Sequence, residues 1–157
     1  MTPSPVTRAA HATTLTGLHP LRHRVLGASD TLYRGYQTLQ EVLDDEGYAT
    51  AAFTGTEAAR GESAIGQGFR VHDDGAPRWS RLLLARYLGW NWTVAPSGSR
   101  VDSWVAWLEQ HEQQPWMAWI ELADLDAWER TDGLSTEAYN DAVGQVDSAL
   151  GLSLIHI

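Results

Sequence analysis

The sequence contains neither cysteine nor lysine. Without cysteine, the chain has no disulfide bond, no thiolate nucleophile and no zinc–thiolate site. Without lysine, it has no Schiff-base amine and no phosphate-binding lysine of the P-loop type. All 11 basic residues are arginines, and against 20 acidic residues they leave a net charge of -9, which argues against a nucleic-acid-binding surface. No apolar run approaches the roughly 20 residues that a membrane-spanning helix needs, so we expect no membrane segment.

The composition that remains is typical of a globular protein. Of the 157 residues, 43% are hydrophobic and 20% charged, which excludes a disordered tail, and this length normally forms one domain. Residues 152–157 (LSLIHI) resemble the translated mosaic-end adapter of transposon-based sequencing libraries. We therefore expect residues 1–151 to be the natural sequence and the last six residues to be a non-native tail.

Between the ends, helical and strand periodicities alternate. The spacing predicts helices at residues 36–46, at about residues 100–110 and after Ser135, and short buried strands at residues 48–53 and 116–122. The side chains expected to point inward are Tyr36, Leu39, Val42 and Leu43 in the first helix, Val101, Trp104, Val105 and Leu108 in the second, and Ala138, Ala142, Val143, Val146 and Leu150 in the third. This order implies an α/β fold with a mostly parallel sheet flanked by helices. Ligands of such sheets bind beyond the carboxyl ends of the strands, here residues 53–54 and 122–124.

The N-terminal third carries the most specific pattern. Residues 7–23 (TRAAHATTLTGLHPLRH) resemble the nucleophile segment of the sulfatase family, within the alkaline phosphatase superfamily. That family has Cys or Ser, any residue, Pro-Ser-Arg and a short helix ending in Leu-x-Thr-Gly, and related branches begin with Thr-x-Pro-Ser-His. The spacing from Thr7 to Thr16 and Gly17 fits this pattern without a gap.

Later segments resemble the same family in the same order. Residues 38–53 (TLQEVLDDEGYATAAF) are similar to its "TLAEVLKEAGYRTAAF" stretch, and residues 66–74 to its "GFDVYDD" element. Residues 104–108, 115–122 and 139–150 resemble a later helix, the strand before an Asp-Pro-His motif, and a "YDAAVAEVDALG" helix. The resemblance covers about residues 3–151. It implies a partial alkaline phosphatase-like layered fold, and residues 1–151 would be part of a sulfatase-like catalytic domain.

The resemblance also implies roles for individual residues. Thr7 would stand at the position of the nucleophile, which in this family both ligates a divalent metal ion such as calcium and attacks the ester. His11 would take the place of the family's Arg or His, where it could stabilise the nucleophile or the leaving oxyanion. Considered without the surrounding motif, Thr7 is more typical of an ordinary helix N-cap. Because threonine cannot become the formylglycine aldehyde of sulfatases, Thr7 favours phosphoryl transfer over sulfate chemistry.

Other positions depart from the family pattern. The family's Gly-Lys-x-His falls on residues 54–57 (TGTE), and its His-x-x-Asp-Pro-His falls on residues 121–126 (ELADLD). Asp124 is kept, while Glu121 and Asp126 replace histidines. We expect Asp124 and Asp126 to contact the substrate, although a solvated acidic loop is an alternative interpretation.

The family's two acidic metal-ligand pairs fall outside these residues, so we expect the fragment itself to bind no metal. Exported or membrane-attached relatives are common in the family, and the parent would be a metal-dependent hydrolase of small-molecule or glycan sulfate or phosphate esters. Separately, Trp79, Trp90 and Trp92 could form a sugar-stacking platform, although such residues more often pack in a core or a lid. Two alternatives remain open. One is a degenerate, non-catalytic relative that binds anions or glycans, favoured by Glu121, Asp126 and the missing lysine. The other is a structural α/β domain that shares only the fold.

Overall fold

The computed structural model describes residues 4–55, 63, 65–75, 97–125 and 135–155, with side chains as far as residue 151. In chain order the elements are α1 (Thr7–Thr16), α2 (Pro20–His23), α3 (Leu39–Asp45), β1 (Ala49–Phe53), β2 (Val71–Asp73), α4 (Ser97–Leu108), β3 (Trp116–Ile120) and α5 (Thr136–Ile155). The predicted α/β class is confirmed. Asp126 and the three tryptophans considered for stacking, Trp79, Trp90 and Trp92, lie outside the described residues.

The three strands form one parallel sheet in the order β2-β1-β3. On one side of β1, the Ala49 N–H donates to the Pro115 carbonyl and the Glu121 N–H donates to the Phe53 carbonyl, both at 2.9 Å. Since both partners advance along the chain together, the strands run in the same direction. All five β1 residues are buried between two neighbouring strands, whereas β3, which was predicted to be buried, is half-buried.

The chain divides into two compact units. The first contains Met1–Ala52, Glu57–His72 and His111–Ala118, and the second contains Phe53–Thr56, Asp73–Gln110 and Trp119–Ile157. The first unit has its apolar core in Ala9, Ala12, Leu15, Val25, Leu32, Ala49, Ala51, Ala52 and Ile65. In the second unit α4 packs against α5, and the rings of Phe53 and Trp107 meet edge to face at 6.1 Å. Among the helices that the structure describes, none has both the length and the apolar character to cross a bilayer.

The first predicted helix is shorter than expected and buries a different face. It begins at Leu39, because Thr38 and Glu41 form a capping box in which each side chain bonds the other's backbone N–H. Leu39 and Val42 are exposed, and the buried residue is Gln40, whose amide donates to the carbonyls of Ile65 and Gln67. The predicted inward face is therefore wrong at Leu39 and Val42.

The other two predicted helices are confirmed with altered faces. In α4, Val101, Trp104 and Leu108 are buried as predicted, but Trp107 is buried in place of Val105. In α5, the Ser135 hydroxyl accepts the Ala138 N–H at 3.1 Å and so caps the helix start as predicted. The buried residues of α5 include Ala142 and Ala149, whereas Val143 and Leu150 are exposed. The helix continues to Ile155.

Candidate functional site

Thr7 is the first residue of α1, and its side chain is exposed. The N-cap is Val6, which offers no side-chain hydrogen bond, so the interpretation of Thr7 as an ordinary N-cap does not hold. No acidic residue lies in the first turn of α1. The Thr7 hydroxyl thus lies at the positive end of a helix dipole, an environment that favours negative charge on a bound group.

His11 lies one turn after Thr7 on α1. Residues four apart share a helix face, with Cβ atoms about 5–6 Å apart, so Thr7 and His11 are neighbours on the same side of the helix. His11 is half-buried. The structure therefore places these two predicted site residues together.

The start of α1 is held by a contact that the sequence pattern did not reveal. An Arg8 guanidinium N–H donates to the Asp30 carbonyl at 3.1 Å. The Asp30 carboxylate in turn accepts the N–H groups of Leu26 and Gly27, both at 2.8 Å, and these two hydrogen bonds lower the pKa of Asp30. The loop at residues 26–30 is therefore hydrogen-bonded to Arg8, the residue directly after Thr7.

In the second unit, polar groups meet at the carboxyl ends of the strands. Glu121 follows β3, and Gly55 follows β1. The Glu121 carboxylate accepts the Gly55 N–H at 3.1 Å. The backbone of Glu121 also bonds Phe53, so both the main chain and the side chain of Glu121 connect these strand ends. A carboxylate accordingly occupies the edge of the sheet where α/β folds bind ligands.

Asp124 is buried, with 9% of its surface exposed. Its two carboxylate oxygens lie 3.3 and 3.1 Å from the backbone nitrogen of Ser97, the first residue of α4, which donates to them. This burial does not fit a solvated loop at Asp124. A carboxylate at a helix N-terminus accepts an otherwise unpaired N–H and interacts favourably with the positive end of the helix dipole. The geometry shows Asp124 as a cap of α4, and contact with a substrate stays a prediction.

The sequence analysis missed an ion pair at the same edge of the sheet. The Arg100 guanidinium lies 3.1 Å from the Asp73 carboxylate at the end of β2, and only 7% of the Arg100 side chain is exposed. Burial raises the pKa of Asp73, but the Gly75 N–H and the contacts with Arg100 and Ser103 outweigh it, so the net pKa is lowered. Asp73 is therefore held ionised opposite a buried cation. The sequence held a signal for the burial of Arg100, although not for its partner, because Arg100 lies one turn before Trp104 on the apolar face of α4.

The described residues do not fit a complete metal centre. No group of three or more His, Asp or Glu side chains within them is arranged to hold a metal ion. Thr7 would supply a single oxygen ligand, whereas calcium takes about six to eight. Any metal role of Thr7 therefore depends on ligands beyond those described.

A solved structure shares this architecture. The chain is similar to a protein in the alkaline phosphatase superfamily from Vibrio parahaemolyticus, with a TM-score of 0.62 and 18% sequence identity. The similarity covers 96% of this chain and 39% of the Vibrio protein, so the chain spans less than half of that protein's length. No family model and no curated protein matches the chain. The chain therefore has part of the alkaline phosphatase superfamily fold: a parallel sheet flanked by helices.

Proposed function

We propose that this chain is part of a metal-dependent hydrolase of sulfate or phosphate esters in which Thr7 is the nucleophile. The fold similarity to an alkaline phosphatase superfamily protein over 96% of the chain is the observation that carries the proposal. The exposed Thr7 hydroxyl at the start of α1 supports it, since a nucleophile must reach the substrate and a helix N-terminus favours an anionic group.

The proposed reaction has two displacements. The Thr7 hydroxyl gives its proton to solvent water and attacks phosphorus or sulfur. A new bond forms to Thr7 Oγ, and the bond to the ester oxygen breaks. The departing oxygen takes up a proton and leaves as an alcohol. Water then attacks the threonine ester, which releases phosphate or sulfate and returns the hydroxyl to Thr7. A bound divalent ion would make the hydroxyl more acidic and stabilise negative charge.

In this scheme His11 would move the proton. It lies one turn from Thr7 on the same face of α1, where an imidazole can give a proton to the departing oxygen or stabilise its charge. We favour phosphate esters, because a threonine sulfate ester cannot use the carbonyl-forming release step that is available to formylglycine.

The test uses the full-length protein with 4-nitrophenyl sulfate, 4-nitrophenyl phosphate and bis(4-nitrophenyl) phosphate, each with calcium and with a chelator. We expect phosphate-ester turnover that the chelator removes. Thr7→Ala should lower kcat by about 10³-fold or more, the scale of losing a nucleophile. The matched control is Thr14→Ala on the same helix, an exposed threonine whose hydroxyl bonds the Ala10 carbonyl. Equal loss in both variants, or full activity in Thr7→Ala, would contradict the assignment.

A non-catalytic, anion- or glycan-binding relative is the second candidate. One observation favours it: Glu121 and the Asp124 cap place negative charge at the carboxyl ends of the strands, where an anionic substrate would be repelled. Saturable binding of these esters without turnover in the full-length protein would select this function instead.

A further inference from the structure

A cavity of about 650 Å³ in the first unit opens between α2 and the loop before α3. We call it the Tyr–Arg pocket, and its lining includes Leu21, Arg22, His23, Arg24, Tyr33 and Tyr36. We propose that this pocket binds a phosphate or sulfate group carried on a flat ring, as in an aryl phosphate or an aryl sulfate.

The positive charge of two arginines indicates that the ligand carries an anionic group. Arg22 and Arg24 are both exposed, and no acidic residue lines the pocket. Among the described residues, neither guanidinium forms an ion pair with a carboxylate. Their planar N–H groups match the geometry of phosphate and sulfate oxygens.

The backbone around these arginines is fixed. The Tyr36 hydroxyl donates to the Arg22 carbonyl at 2.8 Å, and the Arg24 N–H donates to the Pro20 carbonyl at 2.8 Å. Arg24 ends α2 with a φ of 61°, in the left-handed region where a helix normally ends with glycine. A glycine here would avoid the steric cost, so the guanidinium is the feature that the arginine adds.

The two tyrosines of the pocket indicate that the ligand also carries a flat ring. Tyr33 and Tyr36 pack edge to face, with centroids 5.7 Å apart and planes at 88°. Tyr36 is anchored by its hydroxyl, while Tyr33 remains 71% exposed and Leu21 remains 75% exposed. An exposed ring held by a buttressing ring is a preformed stacking surface. The volume lies within the range of about 300–1,000 Å³ that is usual for small-molecule sites.

This inference does not depend on Thr7 acting as a nucleophile. The probe is phenylphosphonate, whose phosphorus is joined to the ring through carbon and which ester hydrolysis cannot consume. Isothermal titration of the full-length protein should show saturable binding, weaker for inorganic phosphate, which lacks the ring. Arg24→Gly should raise the Kd about tenfold, the scale of one charge-assisted hydrogen bond. Because glycine suits the backbone at this position, Arg24→Gly separates lost binding from lost folding.

Tyr33→Leu should also weaken phenylphosphonate binding while leaving inorganic phosphate binding unchanged.

Arg34→Gln is the matched control, because it removes one exposed positive charge from the same unit without changing a pocket-lining residue. It should leave the Kd within about twofold, because an exposed charge that does not contact the ligand is screened by salt. The proposal is overturned if phenylphosphonate does not bind, if inorganic phosphate binds equally well, or if Arg24→Gly and Arg34→Gln have the same effect. Loss of ester turnover in Thr7→Ala with retained phenylphosphonate binding would support both proposals independently.

Discussion

At the scale of single residues, His23 is the clearest case of a side chain whose protonation state is set by its surroundings. It is buried, with 2% exposed, and its Nδ1 accepts the Val25 N–H at 3.0 Å. The proton of the neutral ring is therefore assigned to Nε2, which lies 2.9 Å from the Thr13 hydroxyl and donates to it. Burial lowers the pKa of His23, and the nearby His19 lowers it further, against a smaller opposing backbone contribution. A second proton would bind to Nδ1, and the resulting N–H would point at the Val25 N–H and break this hydrogen bond.

This geometry predicts a loss of stability in mild acid. Because the pKa of His23 is lower in the folded state than the ordinary value of 6.5, the unfolded state binds the proton more strongly. The contribution of His23 to stability is therefore complete above about pH 6.5 and is lost as the pH falls from there through the folded-state pKa. Urea unfolding at pH 8 and at pH 5 should show the decrease, and His23→Gln should reduce it.

The control for this prediction is His111→Gln, since His111 is a half-buried histidine of the same unit outside the His23 cluster. We expect this variant to retain the wild-type pH profile. Parallel pH profiles for the wild type and His23→Gln would contradict the role of His23.

Arg100 shows why the candidate site could be predicted only in part. Apolar runs predict the carboxyl ends of β1 and β3, and Glu121 lies at those ends as expected. The burial of Arg100 does not follow from periodicity, which scores an arginine as polar and exposed. Its burial depends on Asp73, which is 27 residues earlier and follows a strand of only three residues. No local pattern specifies such a pair.

At the scale of elements, α3 shows the same limit. Its hydrophobic spacing predicts an inward face at Leu39 and Val42, but the described structure leaves both exposed. Gln40 is buried instead, because carbonyls of a segment 25 residues later accept its amide hydrogens. A buried amide is stabilised only when its donors are paired, and the sequence does not show where those carbonyls are. In contrast, the start of α5 after Ser135 depends on a local cap, and it was predicted.

The cap of α4 leads to an element-scale prediction about Asp124. Asp124→Ala removes the acceptor of the Ser97 N–H and a negative charge at the helix N-terminus. Loss of such a cap costs about 0.5–2 kcal/mol of stability. Chemical unfolding should therefore show a lower free energy of unfolding for Asp124→Ala than for Asp102→Ala, which alters an exposed carboxylate within α4. If Asp124→Ala changes only substrate affinity and leaves stability unchanged, Asp124 is a ligand-binding residue and not a cap.

At the scale of the whole molecule, the α/β class and the parallel sheet could be predicted from alternating periodicities. Parallel strands must be joined by crossovers, and strands buried on both faces are nearly all apolar, as β1 is. The chemistry is less accessible. This chain has the fold of the Vibrio protein but covers only 39% of it. A fold alone does not specify a reaction.

The charge of the chain gives a prediction at this scale. At pH 7 the net charge is -9, so like charges repel one another across the folded chain. Salt shortens the range of this repulsion, to about 10 Å at 0.1 M. Raising sodium chloride from about 10 to 200 mM should therefore raise Tm by about 2–4 °C, which corresponds to ~1 kcal/mol for a chain of this size.

Salt also screens attractive pairs, and the part of the chain that the structure describes contains two of them. Arg70 pairs with Asp44 at the surface, where Arg70 is 64% exposed, and such pairs contribute about 0–1 kcal/mol. Arg100 is buried, and salt screens its contact with Asp73 less. Repulsion among 20 acidic residues should therefore dominate, and the salt effect should vanish near the pI of 4.9. Tetramethylammonium chloride should act like sodium chloride, which separates screening from specific cation binding. A Tm that falls with salt at pH 7 would show instead that attractive pairs dominate the electrostatics of this fold.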